Sequence, residues 1–386
     1  MIKDINKLLI KKILLSQKSK HKLIRSAILI ILIVALLIVS TVFINSMSNG
    51  IAKKFALLVN GDIEVYTNTN LTDQYDFIKS SDSVFTIDSL IYGRETTQIS
   101  LIKAVNDSYF NSDRMKSLKL EITDDTSNLP SIYISNQIAT KLNLKLGDRA
   151  AIILAKDETK VRPKLLFIKG IFDSGYKEID QNLCYMNLDD LKNIYNDEVS
   201  IHQEVVLKNN VDIHDALLNL NLDNYISRAW YELQPAVYNN LLTSTQSLTI
   251  IFVVIALLTG YFISSISSDI ITKDHKNIAI NKLLGLKNKN LRKVYFLAIE
   301  FFTIISTLIG VILGIIISKT FLSILGKFSL ERIPALSWYL LDFDVLIPFN
   351  SILIISISLI LISMISVYLS LFRIKKIEVL DLLIHE

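Results

Sequence analysis

The chain has 386 residues, of which 51% are hydrophobic, and 41 Lys and Arg stand against 37 Asp and Glu. Only 11 glycines are present, and mean hydropathy is +0.42. That composition excludes collagen, disorder and Gly-rich nucleotide folds, and leaves one question: whether the apolar residues fill a soluble core or gather in runs.

They gather in runs. Residues 1–22 place Ile2, Ile5, Leu9 and Ile13 at helical spacing among Lys3, Lys7, Lys11 and Lys18, which predicts an interfacial helix lying on the inner leaflet. Ser26–Ala52 then carries no charge and predicts a first span at 23–48. The run outlasts a signal-peptide core of about 7–15 residues, and no Cys near its end suggests a lipoprotein signal. Residues 49–236 are too many for a loop and read as a folded α/β unit. Strand patterns at Asp62–Tyr66, Ala150–Leu154 and Leu165–Ile168 alternate there with helical patterns at Ser135–Leu144 and Asp189–Tyr195. The charge-free run Leu233–Ser268 predicts a second span at 237–268, and 269–293 returns as a basic loop. A third span is expected at 294–320, where the only charge up to Ser318 is Glu300, placed to reach the interface or a neighbouring helix. Residues 321–345 form a loop, 346–372 a fourth span and 373–386 a tail. The outward ends of the spans lack Gly/Ser linkers and should continue as stiff helices. The fold class is a membrane protein: an α-helical four-span bundle with a large mixed α/β extracytoplasmic domain.

Charge sets the orientation. Eight Lys/Arg precede Ser26, seven lie between Lys273 and Lys293, and Arg373, Lys375 and Lys376 follow the last span. Few flank the membrane on the other side, among them Lys53, Lys54 and Arg228. The positive-inside rule therefore puts both termini in the cytoplasm.

Catalytic patterns do not emerge. No G-x-x-x-x-G-K-[ST] run exists to cradle phosphate, nor an H-E-x-x-H or paired-Cys motif, and His21, His202, His214, His275 and His385 are scattered. Neither a metal nor a nucleophile is expected, and the chain is not read as an enzyme. Cys184 is alone and is expected to pack as a small hydrophobe. The basic residues sit at span ends, where anionic headgroups explain them better than nucleic acid. The informative loop is Ile271–Phe296. From Asp274 to Leu284 it predicts a short helix offering Ile278, Ala279, Leu283 and Leu284 for docking, with Gly285 as its stop. Such a helix would receive force from a soluble motor. Taken alone, the pattern also suits a plain connector.

The stretch "KNIAINKLLGL" at 276–286 resembles the E-I-A-I-L-R-x-L-G-A coupling segment of four-helix ABC permeases of the macrolide-exporter (MacB) and FtsX-like superfamily. Three more stretches resemble the lipoprotein-releasing permeases, the LolC/LolE family: "SMSNGIAKKFALLVNGDIEVY" (46–66), "SIYISNQIATKLNLKLGDRAAIIL" (131–154) and "KGIFDSGYKEIDQNLCYMNLDDLKNIY" (169–195), the last being the most specific. Agreement runs from about residue 8 to Glu386. There are departures. Asn277 replaces the coupling Glu, although Lys282 keeps the basic residue; the Pro that often ends the last helix is absent; and the few residues around Arg162 and Pro163 leave little room for a chaperone-gripping hairpin.

The resemblance implies a permease subunit in a cell inner membrane, multi-pass, whose periplasmic domain combines a porter-like part with an inserted β-rich part. It would extract lipoproteins for delivery to a periplasmic chaperone. The implied partners are a separate ABC ATPase dimer, a second permease subunit that is a paralogue or a copy, the lipoprotein substrate and the chaperone. No cofactor is expected on this chain, with ATP and Mg held by the ATPase. Coupling residues would be Lys276, Asn277, Ile278, Ala279, Ile280, Lys282, Leu283, Leu284 and Gly285. An acyl chain needs an apolar groove open to the outer leaflet, which nominates Phe43, Met47, Ile51, Tyr238, Leu241, Leu242, Ile251 and Phe252. Alternatives are a MacB-like exporter of a peptide, antibiotic or lipid, and an FtsX-like mechanotransmitter acting on a cell-wall hydrolase.

Overall fold

Each charge-free run becomes a helix, because a backbone in hydrocarbon must satisfy its own hydrogen bonds. The computed structural model describes residues 17–124, 129–154, 163–195, 200–209, 211–332 and 344–376. Residues 1–16 of the expected interfacial helix, Arg162, residues 333–343 of the expected loop and residues 377–386 of the tail lie outside the described residues; residues 321–332, expected as loop, instead continue the third membrane helix, Asn288–Arg332.

In chain order, α1 (Gln17–Phe55) runs into a π-helical turn, Ala56–Asn60. Then come β1 (Ile63–Val65), β2 (Ile78–Tyr92), β3 (Thr97–Val105), α2 (Ser112–Leu118), β4 (Glu121–Ile122), β5 (Ser131–Ser135), α3 (Asn136–Leu142), β6 (Arg149–Leu154) and β7 (Lys164–Phe172). After these follow α4 (Lys177–Asp180), β8 (Leu183–Asn187), α5 (Leu188–Tyr195), β9 (His202–Leu207), α6 (Ile213–Leu222), β10 (Ser227–Ala229) and α7 (Trp230–Leu233). The chain closes with α8 (Pro235–Lys273), α9 (His275–Leu283), α10 (Asn288–Arg332) and α11 (Phe349–Ser370). Four of these helices are long and apolar enough to cross a membrane, over Ile24–Asn60, Pro235–Lys273, Asn288–Thr320 and Phe349–Ile374. Two compact units result, one centred on Met47–Leu241 and one on the helices up to Ser46, over Leu242–Lys327 and from Asp344.

The helical unit has a core that includes Ile30, Val34, Ile38, Ile263, Ala298 and Val367. Its spans also hold hydroxyl groups that water cannot reach. These fold back on their own helices: Thr41 donates to the Leu37 carbonyl at 2.8 Å, Thr259 to Ile255 at 2.7 Å and Ser318 to Gly314 at 2.7 Å. Glu300 is buried and accepts the Ser363 hydroxyl at 3.2 and 2.9 Å, so it does reach a neighbouring helix, α11. Leu32, Leu36, Leu257, Ile312 and Leu353 point outward, as suits helices whose solvent is lipid.

Among the described residues the second unit is built on ten strands in the order β10-β1-β9-β2-β3-β8-β5-β7-β4, with β6 pairing both β2 and β7. β2 is long because it serves two neighbourhoods. Its first part pairs β9, and its end, Ser89–Tyr92, pairs β6. The pairings β2–β3, β3–β8, β8–β5, β5–β7, β7–β6 and β6–β2 return to their start. A ring of strands therefore encloses Ile91, Ile102, Ile132, Ile152, Leu166 and Cys184. Closure removes strand edges that would otherwise be exposed. Cys184 packs there at 0% exposure, and burial pushes its thiol up to about 12, as expected of a small hydrophobe. The expected strands and helices all appear within a residue or a few of their patterns.

Candidate functional site

The loop between the second and third membrane helices folds as the sequence predicts, with α9 starting after Asp274 and stopping at a left-handed glycine. Gly285 has φ +88°. Its N–H donates to the Lys282 carbonyl and that of Leu286 to Asn281, both at 3.0 Å, which satisfies carbonyls that the helix leaves unpaired. The face of α9 that turns inward is a correction to the expected docking set. Ile278 is fully buried in the helical unit's own core and Ala279 is fully buried beside it, so both are unavailable to a partner, whereas Ile280, Leu283 and Leu284 are exposed at 47%, 62% and 76%. Lys276 and Asn277 are exposed too. Asn277 donates to Asp274 at 2.5 Å, and Asp274 accepts the Tyr295 hydroxyl at the start of α10. Lys282 does not point away either: it donates to the Ile374 carbonyl beyond α11 at 2.8 Å. Thus α9 is fastened at both ends, and presents an apolar ridge.

The residues nominated for an acyl groove divide between the units. In the sheet unit, Met47, Ile51 and Leu241 join one apolar cluster with Phe55, Tyr109, Tyr176 and Trp230. Ile51 is buried, while Tyr238 is half-exposed, with its ring 6.0 Å from Trp230 and 5.2 Å from Tyr231. In the helical unit, Leu242 and Ile251 are exposed, Phe43 is half-buried and Phe252 packs on the inner core. Ile51 is thereby committed to packing, whereas Phe252, like Met47, is only partly buried.

Two features escape the sequence reading. One is how the stretch at 169–195 is tied into the sheet unit. Gly175 sits at φ +68°, the Ser174 N–H donates to Asp180 at 3.0 Å, and the Asp180 carbonyl accepts Ser135. Burial raises the Asp180 carboxyl to about 6. The other is a buried charge row. Asp82, Glu204 and Glu64 lie in register across β2, β9 and β1. Lys103 answers Glu204 at 2.6 Å, Arg114 answers Asp82 at 2.8 Å, and His202 lies 2.5 Å from Glu64. The available signal was a lone Lys inside an apolar run, Ile99–Val105. Among the described residues, no cluster suited to a metal ion occurs.

Residues 249–379, about a third of the chain, match the family model "FtsX-like permease C-terminal". The chain resembles permeases of the LolC and FtsX-like type. It is 22% identical over 274 residues to the lipoprotein-releasing system transmembrane protein LolC of Xylella fastidiosa strain Temecula1, covering 66% of this chain and 65% of that protein. The same protein from strain 9a5c matches at 22% over 275 residues. The match thus spans slightly less than two thirds of those relatives. Among solved structures, the periplasmic region of MacB from Actinobacillus actinomycetemcomitans aligns with a TM-score of 0.29 and 11% identity, covering 46% of this chain and 92% of that one. The extracellular domain of the noncanonic ABC-type transporter YknZ from Gram-positive bacteria aligns at 0.28 and 15%, covering 43% and 98%.

Proposed function

We propose that this chain is a permease subunit of an ABC transporter that extracts lipoproteins from the inner membrane and hands them to a periplasmic chaperone. The observation that carries the reading is the LolC match across 66% of the chain, joined to a helix, α9, whose exposed ridge of Ile280, Leu283 and Leu284 suits a separate motor. ATP and Mg are held by that ATPase, a second permease copy or paralogue completes the membrane part, and both termini are cytoplasmic. The purified chain alone should hydrolyse no ATP and should copurify with an ATPase; hydrolysis by the chain itself would sink the reading. Depletion in cells should strand lipoproteins in the inner membrane. Chained cells with normal lipoprotein sorting would point instead to the FtsX-like relay, and normal sorting with loss of export to the MacB-like alternative.

The acyl groove is assigned to the side chains around Met47. Phe43 and Met47 are one turn apart on α1 and share a face, and Met47 is only partly buried against its cluster. Met47→Asp puts a carboxylate where lipid tails would lie, at a cost of several kcal/mol. The variant should reach the membrane and bind its ATPase, yet lose lipoprotein-stimulated hydrolysis. Normal stimulation, with no photocrosslink from position 47 to lipoprotein, would move the groove elsewhere.

A further inference from the structure

A helix that ends away from water must hand its last carbonyls to protein donors, because four of them have no partner inside the helix. The C-terminal end of α1 is in this position. Leu58, in the π turn, is fully buried in the cluster around Tyr109, Tyr185 and Trp230. The donors arrive from several elements of the sheet unit. Lys103 on β3 donates to the Leu58 carbonyl at 2.9 Å and to Val59 at 2.8 Å. Arg114 on α2 donates through Nε to Leu57 at 3.0 Å, and the Tyr185 hydroxyl on β8 to Leu58 at 3.0 Å. From the helix itself, Lys54 reaches out to the Ser174 carbonyl.

The ionic partners show what this arrangement is for. Lys103 and Glu204 are both wholly buried, 2.6 Å apart. Stability alone does not favour such a pair, since a well-packed apolar replacement is often as stable or more so, and burial pulls the Lys103 amine down to about 8 in spite of Glu204. What apolar residues could not do is ligate consecutive carbonyls at the negative end of a helix. Nor is the site an ordinary helix end: it is wound as a π turn, a rare form that is frequent at functional sites.

We infer that Lys103 is a positioning residue for transport, locking the C-terminal end of α1 to the sheet so that helix end and sheet move as one body. The consequence for transport rests on the permease reading; the lock itself does not. The test uses the full chain in its ATPase complex in nanodiscs, with Lys103→Met and with the double variant Lys103→Met/Glu204→Met, which leaves neither charge of the pair unpaired. Amides of residues 56–60 should exchange about tenfold faster or more in the double variant, as expected for lost charge-assisted hydrogen bonds, while β2 and β9 keep their protection. Lipoprotein released per ATP hydrolysed should fall at least about fivefold, in proportion to the lost lock. A purely structural ion pair predicts instead that the double variant restores both readouts. Unchanged exchange at 56–60 would overturn the lock, and faster exchange with unchanged release per ATP would overturn the positioning role. If the wild-type complex releases no lipoprotein, the functional reading fails, and exchange alone then decides the lock.

Discussion

Gly314→Leu should prevent the membrane helices from assembling as they do, with less chain accumulating and a lower unfolding midpoint. The reason is distance. A Cβ on Gly314 would lie 2.7 Å from the Ile38 Cβ and 3.1 Å from the Ala35 carbonyl, and one on Gly310 would lie 2.8 Å from the Val34 Cβ and 3.0 Å from the Ile31 carbonyl. Carbonyls and Cβ atoms of a helix cannot swing aside as a side-chain tip can, so α1 and α10 must separate. In lipid there is little hydrophobic drive to hold helices together, and association depends on this closeness of backbones. Overpacking of this kind costs about 1–3 kcal/mol, occasionally more. Gly314→Ala should show a smaller shift in the same direction. Thermal unfolding of both variants in detergent decides the matter: midpoints equal to wild type would mean that the two helices do not meet at Gly314.

The same contact shows where a single sequence becomes hard to read. The spacing Gly310-x-x-x-Gly314 stands out in a chain with only 11 glycines, and marks a close helix crossing, yet it does not name the helix being crossed. The spans themselves are legible because exclusion of charge is a property of each segment by itself. Strands such as β6 and β7 are legible for the same reason, as dense apolar runs. β9 is not. It reads His202-Gln203-Glu204 and all three are buried, which makes physical sense only once Glu204 has met Lys103, 101 residues away in sequence. Likewise, β2 alternates through Ser and Asp because its first part borders a charged row and its end borders the strand ring. Pairing of distant charges is a fact of topology, and the residues that would announce it look like surface residues until the partner is known. On α9 the ambiguity is narrower. Its pattern carries two apolar pairs, and periodicity alone does not say which pair belongs to the core.

That division yields the second large effect. Leu284→Asp should abolish binding of the ATPase while leaving the chain folded, and Ile278→Asp should abolish folding and binding together. Leu284 is 76% exposed at the end of α9, so its replacement removes almost no internal packing and should change stability by about 0.5 kcal/mol, as surface substitutions do. A carboxylate near a helix C-terminus adds a penalty of about 0.3–1 kcal/mol. Neither is enough to unfold the loop, whose helix is held by Ile278 in the core and by the bond from Lys282 to the Ile374 carbonyl. In a docked complex the same carboxylate would be buried against an apolar surface without a partner, costing several kcal/mol, and each 1.4 kcal/mol is about tenfold in affinity. Binding should therefore weaken by about a hundredfold or more. Titration of the detergent-solubilised variant with its ATPase, beside a melting curve, separates the terms. Wild-type affinity for Leu284→Asp would place the motor elsewhere on the chain, and an equal loss of melting temperature in both variants would mean that Leu284 serves the fold. Only a loss of affinity at constant melting temperature fits a helix that spends one apolar pair on the membrane core and keeps the other for its motor.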